Sequence, residues 1–185
     1  MPNRGAGLTL RQAALIAGFG YLLDPISYAE FTLYPKLVIP GHIEQTVANI
    51  AAHPGLFLAI FFCYLINFIG DVVIAWALYF LLRPVNQAVS LLAALFRLIF
   101  TAVALAASFN VLTVYRMVTT PEYLSLFGPG PFHAQIALLL HSFRYEWSMS
   151  LVVFALHLLL VGALIYRSGY LPKWLGVILV INGLG

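Results

Sequence analysis

Charge is scarce in this chain of 185 residues, and cysteine is almost absent. Only 8% of the residues are charged and 63% are hydrophobic, against about 25% and 45–50% in ordinary soluble domains. The single cysteine, Cys63, excludes a disulfide framework and a cysteine metal site. The net charge of +3 comes from scattered basic residues without a basic patch, which argues against nucleic acid as a partner. This composition predicts an integral membrane protein whose partner is the lipid bilayer.

The apolar runs are long enough to cross a bilayer four times. A spanning helix needs about 20 largely apolar residues. Four segments satisfy this length, at about residues 12–33, 55–82, 88–116 and 134–166. A fifth segment, 174–185, would rise only about 17 Å as a helix, which is too short for a crossing. We therefore predict an all-α polytopic transmembrane helix bundle with four full spans and a truncated fifth. We also predict a single membrane domain over 1–185 and a chain that is incomplete at its carboxyl end.

Basic residues at the segment ends indicate the orientation. Lysine and arginine accumulate on the cytoplasmic side of membrane proteins. Most basic residues fall at one set of ends, namely Arg4, Arg11, Arg83, Arg167 and Lys173. We therefore predict a multi-pass protein of the bacterial inner (cytoplasmic) membrane with a cytoplasmic amino terminus.

The two outer loops are predicted to contain short interfacial helices. The stretch "HIEQTVANIAAH" places three apolar residues on one helical face, Ile43, Val47 and Ile50. The stretch "TTPEYLSLFGPG" combines a capping box from Thr119 to Glu122 with Gly128 as a stop signal. Both patterns are typical of short helices that lie on the membrane surface.

Ionisable side chains at mid-membrane depth give the strongest signal of a site. Counting from the cytoplasmic ends puts four of them in one layer, on four different helices: Asp24, Asp71, Arg97 and His157. Each would cost about 2.5–3.5 kcal/mol at the centre of a spanning helix, so we expect them to meet inside the bundle. Asn67 shares the helical face of Asp71 and is assigned to the same midplane polar layer.

Small and polar residues also predict which helix faces point inward. A stripe along the third segment contains Ser90, Ala94, Arg97, Thr101, Ala104 and Ser108. On the first segment, Ala14 and Gly18 would allow another helix to approach closely. These faces are predicted to form the interior of the bundle.

A second polar group precedes the last full crossing. The stretch "HSFRYEWSMS" has polar side chains on every helical face, which argues against contact with lipid. From it we select an outer polar cluster of His141, Arg144 and Glu146. The outer histidines match no compact ligand spacing, so neither a metal site nor a cofactor is predicted.

Two longer stretches resemble a known family. At "DVVIAWALYFLLRPVNQAVSLLAALFRL" and "LIYRSGYLPKWLGVILVINGLG" the chain is similar to the bacterial multi-pass membrane proteins of domain of unknown function 4386. The resemblance runs from about Arg11 to the last residue. It implies location and architecture and carries no assigned activity. Because members of this family are longer, it also implies that the end of the fifth helix and a sixth helix are missing here.

The polar layer has two interpretations. Asp71 and Arg97 could form a structural ion pair that fixes helix register, or they could mark a ligand or proton site. No nucleophile motif accompanies His157, which disfavours an enzyme. We predict a non-enzymatic membrane module that binds a small ligand, lipid or partner protein. The alternative is proton-coupled small-molecule transport or an intramembrane enzyme that uses the midplane layer. Assembly as a homo-oligomer or in a larger membrane complex is left open.

Overall fold

The computed structural model describes residues 8–22 and 25–185, which fold into helices joined by short loops. In chain order they are α1 (Leu10–Leu22), α2 (Ile26–Tyr28), a π-helix (Ala29–Leu33), α3 (Tyr34–Leu37), α4 (Ile43–Ala52), α5 (Pro54–Leu82), α6 (Gln87–Thr119), α7 (Pro121–Phe127), α8 (Pro129–Ser168) and α9 (Lys173–Leu184). These residues contain no strand. The all-α prediction is confirmed.

Three of these helices are long and apolar enough to cross a membrane. They are α5, α6 and α8, which contain the predicted segments 55–82, 88–116 and 134–166. With 40 residues, α8 is about 60 Å long at a rise of 1.5 Å per residue. It therefore extends well beyond a single crossing, as its length in the sequence indicated.

The predicted first span, 12–33, is not a single regular helix. Helix α1 ends at Leu22, and Pro25 precedes α2, which leads directly into the π-helix and α3. Proline suits the start of a helix because it has no N–H to donate to the preceding turn. The count of four full spans plus a partial fifth stays a prediction.

The chain divides into two compact units. The first unit contains residues 8–22, Ile69–Thr101 and Leu151–Gly185, and the second contains residues 25–68 and Ala102–Ser150. The boundaries between the units fall within α5, α6 and α8. Each of these three helices therefore contributes residues to both units.

Small residues of α1 line the core of the first unit. Ala13 and Ala17 are buried together with apolar residues of α5, α6 and α8. The prediction for Gly18 is wrong, because Gly18 is exposed and a Cβ added there would meet nothing within 4 Å. Ala14 is half-buried. The buried face of α1 thus lies one residue away from the predicted one.

The predicted inward stripe of α6 is confirmed. Five of its six members are buried, namely Ser90, Arg97, Thr101, Ala104 and Ser108. Ala94 is half-buried. Small side chains on this face leave room for the large guanidinium group of Arg97.

The two predicted short helices are present as α4 and α7. On α4, Ile50 is buried, and Ile43 and Val47 are half-buried, as the apolar spacing predicted. The capping box is wrong, because Thr120 is the N-cap of α7 and makes no side-chain cap. The Thr119 hydroxyl instead donates to the Tyr115 carbonyl of α6, at 2.8 Å. Gly128 ends α7 with a φ of +73°, which glycine adopts without steric cost.

A tyrosine fixes the loop between α8 and α9. The Tyr170 hydroxyl donates to the Leu81 carbonyl at 2.5 Å. Partial burial raises the pKa of this hydroxyl above its ordinary value. Tyr170 therefore stays protonated, and remains a donor, throughout the physiological pH range.

Candidate functional site

Arg97 is the centre of a polar network in the first unit, and Asp71 and His157 in it are buried. Its Nε and Nη2 both donate to Oδ1 of Asp71, and Nε does so at 3.1 Å. Its Nη1 donates to the Tyr21 hydroxyl at 2.6 Å and contacts Nε2 of His157 at 3.2 Å. The side chains of Arg97 and Asp71 are only 3% and 5% exposed. We call these four residues the Arg97 network.

The hydrogen bonds of His157 define its tautomer. A guanidinium group can only donate, so Nε2 of His157 accepts from Arg97. Nδ1 lies 2.8 Å from the Ala93 carbonyl, which can only accept, so Nδ1 carries the proton. This arrangement requires a neutral imidazole, and its ring stacks on Phe154. Asp71 therefore balances the positive charge of Arg97, and the neutral His157 adds no further charge.

Three of the five residues assigned to the midplane polar layer are brought together by these contacts. They are Asp71, Arg97 and His157. Asn67 is half-buried and belongs to the second unit. Asp24 lies outside the described residues. Tyr21 takes part in the network and was missed from the sequence.

A second polar network forms around Glu30 in the second unit. The Tyr64 hydroxyl donates to Oε1 of Glu30, and Nη1 of Arg144 donates to Oε2 at 2.6 Å. Glu30 lies in the π-helix, whose wider turn is often found at functional sites. The guanidinium group of Arg144 also stacks over the Tyr34 ring, with its Cζ 4.2 Å from the centroid. We call these four residues the Glu30 network.

A pocket of about 560 Å³ opens beside the Glu30 network. This volume falls within the 300–1,000 Å³ that is usual for small-molecule sites. One wall is the segment from Tyr34 to Thr46, and the other is the face of α8 that carries Ala137, Leu140, His141 and Arg144. Most of the lining is apolar, and the polar groups His141 and Arg144 lie together on α8.

The first wall of the pocket is held in place by side chains of α4. The Ile39 backbone N–H donates to the Thr46 hydroxyl at 2.9 Å. Nδ2 of Asn49 donates to the Leu37 carbonyl at 3.4 Å. Thr46 and Leu37 are both buried. These bonds satisfy backbone groups at the end of α3 and in the loop before α4, so this wall is formed in advance of any ligand.

The structure gives the members of the outer polar cluster separate partners. Arg144 pairs with Glu30, whereas Glu146 accepts from Nδ2 of Asn110 at 3.0 Å. His141 is exposed and lines the pocket beside Arg144. Within residues 8–22 and 25–185, no group of three or more His, Cys, Asp or Glu side chains could hold a metal ion.

Glu30 was not predicted as a site residue, although the sequence contains a signal for it. Glu30 is an acidic residue within the predicted first span. Burying its charge in the membrane has the same cost as burying that of Asp71. That cost predicts a partner, and Arg144 is an arginine in a segment already predicted to avoid lipid. The partner hydroxyl of Tyr64 lies on the buried face of α5.

Long apolar helices and buried ionisable side chains together indicate a helical membrane protein. The family follows from sequence comparison, since the profile of the domain of unknown function (DUF4386) matches residues 16–185. The chain belongs to this family, which confirms the resemblance carried by its two quoted stretches.

A relative from Archaeoglobus fulgidus with the name "Uncharacterized protein" is 33% identical over 144 residues. The aligned residues are 78% of this chain and 66% of the relative, so the chain spans slightly less than two thirds of the relative's length. No solved structure matches the chain at a significant level.

Proposed function

We infer that this chain is a non-enzymatic membrane module that holds one small amphipathic molecule in the pocket of the second unit. The observation that carries this proposal is the pocket itself, with apolar walls and with His141 and Arg144 side by side on α8. Apolar walls with a few convergent polar groups are the usual composition of a ligand site. The module is placed in the cytoplasmic membrane with its amino terminus on the cytoplasmic side, as the loop charges predict.

The Arg97 network supports a structural role for the midplane residues. Asp71, Arg97 and His157 are each at most 4% exposed, and Nε, Nη1 and Nη2 of Arg97 each contact a protein partner. A transport or catalytic centre requires access for a substrate or for protons. The burial of Asp71, Arg97 and His157 therefore favours a module that binds its ligand elsewhere, in the pocket beside the Glu30 network.

Filling the pocket should weaken binding strongly. Ala137 is half-buried and lines the pocket, so Ala137→Trp places an indole ring where the ligand would lie. We expect at least a tenfold loss of affinity, on the order of 1.4 kcal/mol, for both oleate and oleyl alcohol. The measurement is equilibrium binding of radiolabelled probes to the protein in phosphatidylcholine nanodiscs, with empty nanodiscs subtracted.

The matched control for this variant is Leu138→Trp. Leu138 is the next residue of α8, is 59% exposed and does not line the pocket. The Leu138→Trp variant adds a tryptophan to the same helix and should leave the affinities for oleate and oleyl alcohol unchanged. Equal binding by the Ala137→Trp and Leu138→Trp variants would refute the pocket as the ligand site.

A further inference from the structure

Arg144 offers the pocket a guanidinium group that is already positioned. Glu30 accepts from Nη1, and Cζ lies over the Tyr34 ring. A guanidinium group has five N–H donors in a fixed fork. Because the Arg144 side chain is 43% exposed, further donors remain accessible at the pocket. Such a fork matches the oxygen spacing of a carboxylate or a phosphate group.

The placement of the two charges favours an anion at this point. Arg144 lines the pocket and Glu30 does not. The Glu30 side chain is only 18% exposed, and its carboxylate accepts hydrogen bonds from both Tyr64 and Arg144. An acidic group that enters the pocket therefore meets the positive member of the ion pair first. The exposed imidazole of His141 is a second polar group on the same side.

The pocket volume is compatible with one hydrocarbon chain. It is about 560 Å³, within the range of about 300–1,000 Å³ that is usual for small-molecule sites. The apolar part of the ligand is therefore expected to be one chain that lies along the apolar walls.

We propose that the pocket takes a single-chain amphiphile with an acidic head group, a carboxylate or a phosphate monoester, whose oxygens bind the Arg144 guanidinium group. The hydrocarbon chain lies against apolar residues of both walls, among them Val38, Ile39 and Leu140. This proposal rests on the proposed function, because it assigns a chemical class to the ligand of the same pocket.

The test compares three probes on the wild-type chain and on Arg144→Gln. The probes are oleate, 1-oleoyl lysophosphatidate and oleyl alcohol, which share one chain and differ in the head group. Arg144→Gln should weaken binding of both acids at least about tenfold, as expected for losing a hydrogen bond to a charged group. Binding of oleyl alcohol should change less than twofold. Inorganic phosphate should not compete with oleate, because the affinity depends on the chain.

Three further variants keep the result interpretable. Arg144→Lys retains a positive charge for Glu30 and loses the fork, and should weaken both acids by an intermediate factor. The pair Glu30→Gln and Arg144→Gln leaves no lone buried charge, so it should fold and still bind the alcohol. Arg116→Gln removes an exposed arginine of α6 outside the pocket, and should leave all three probes unaffected.

The outcomes separate this proposal from the proposed function. If Ala137→Trp blocks binding of every probe and Arg144→Gln weakens binding of none, only the assignment of an acidic head group is wrong. If Ala137→Trp blocks nothing, the pocket itself is wrong and the head-group assignment fails with it. Binding of dioleoyl phosphatidate that is as tight as that of lysophosphatidate, and equally sensitive to Ala137→Trp, would overturn the assignment of a single-chain ligand.

Discussion

Asp71→Asn should be among the most destabilising single substitutions in this chain. It leaves the shape of the side chain almost unchanged and removes the negative charge that faces the buried guanidinium group of Arg97. Breaking a buried ion pair by removing one partner costs about 3–5 kcal/mol, because the remaining charge is uncompensated. The measurement is the free energy of unfolding in mixed micelles of increasing sodium dodecyl sulfate content.

The double replacement Asp71→Leu with Arg97→Met should cost much less than either single change. It removes both charges and fills the same space with apolar side chains, which is often neutral or stabilising for buried pairs. His157 loses its donor in this variant, so we expect a residual cost of about 1–3 kcal/mol for its unsatisfied Nε2. The difference between the double variant and the sum of the single variants measures the coupling of the pair.

Glu122→Gln is the matched control for this experiment. Glu122 is an exposed carboxylate in the first turn of α7, and its loss changes the net charge by the same amount as Asp71→Asn. Its effect on the unfolding free energy should be small. If Asp71→Asn is no less stable than Glu122→Gln, the buried pair does not contribute to stability, and the structural role of the Arg97 network is wrong.

The long helices and the buried pair of Asp71 and Arg97 were predictable because a lipid environment permits few backbone structures and few isolated charges. A spanning segment must satisfy its backbone hydrogen bonds internally. An α-helix does so, and the apolar runs of α5, α6 and α8 were therefore predicted as helices. Counting residues from their ends then puts Asp71, Arg97 and His157 at similar depth. The cost of an isolated charge in lipid brings them together without knowledge of side-chain contacts.

The remaining partners depend on geometry that helical periodicity does not contain. Tyr21 reaches Arg97 from the end of α1, whose buried face was placed one residue away from its true position. Glu30 lies in a π-helix, where hydrogen bonds run from residue i to i+5. The extra residue in such a turn rotates every following side chain relative to a 3.6-residue period, so the face of Glu30 could not be read from spacing.

The pocket was not predictable for a related reason. Its walls come from the segment Tyr34 to Thr46 and from α8, which are separated by about half of the chain. The sequence between Val38 and His42 has no periodicity, and its shape depends on the bond from Ile39 to Thr46. His141 and Arg144 are three residues apart on α8, and the cavity beside them emerges only in three dimensions.

Gly176→Ala should destabilise the chain, although alanine normally strengthens a helix. A Cβ added to Gly176 of α9 would lie 2.6 Å from the Gly162 carbonyl oxygen of α8 and 2.8 Å from the Tyr166 backbone nitrogen. These are backbone atoms, which cannot rotate away, so the two helices must separate. Gly183 contacts α8 near Ala155 in the same way, which makes α8 and α9 antiparallel partners at close range, in the manner of small-residue packing in membranes.

The sign of this effect distinguishes close packing from helix propensity. Alanine is favoured over glycine in a helix interior by about 1 kcal/mol, and overpacking typically costs about 1–3 kcal/mol. Gly176→Ala should therefore lower the unfolding midpoint, and Gly162→Ala should do the same. Gly70→Ala on α5 is the matched control, because an added Cβ there would meet nothing within 4 Å, and it should raise the midpoint or leave it unchanged. If all three variants shift the midpoint in the same upward direction, α8 and α9 do not pack through their glycines.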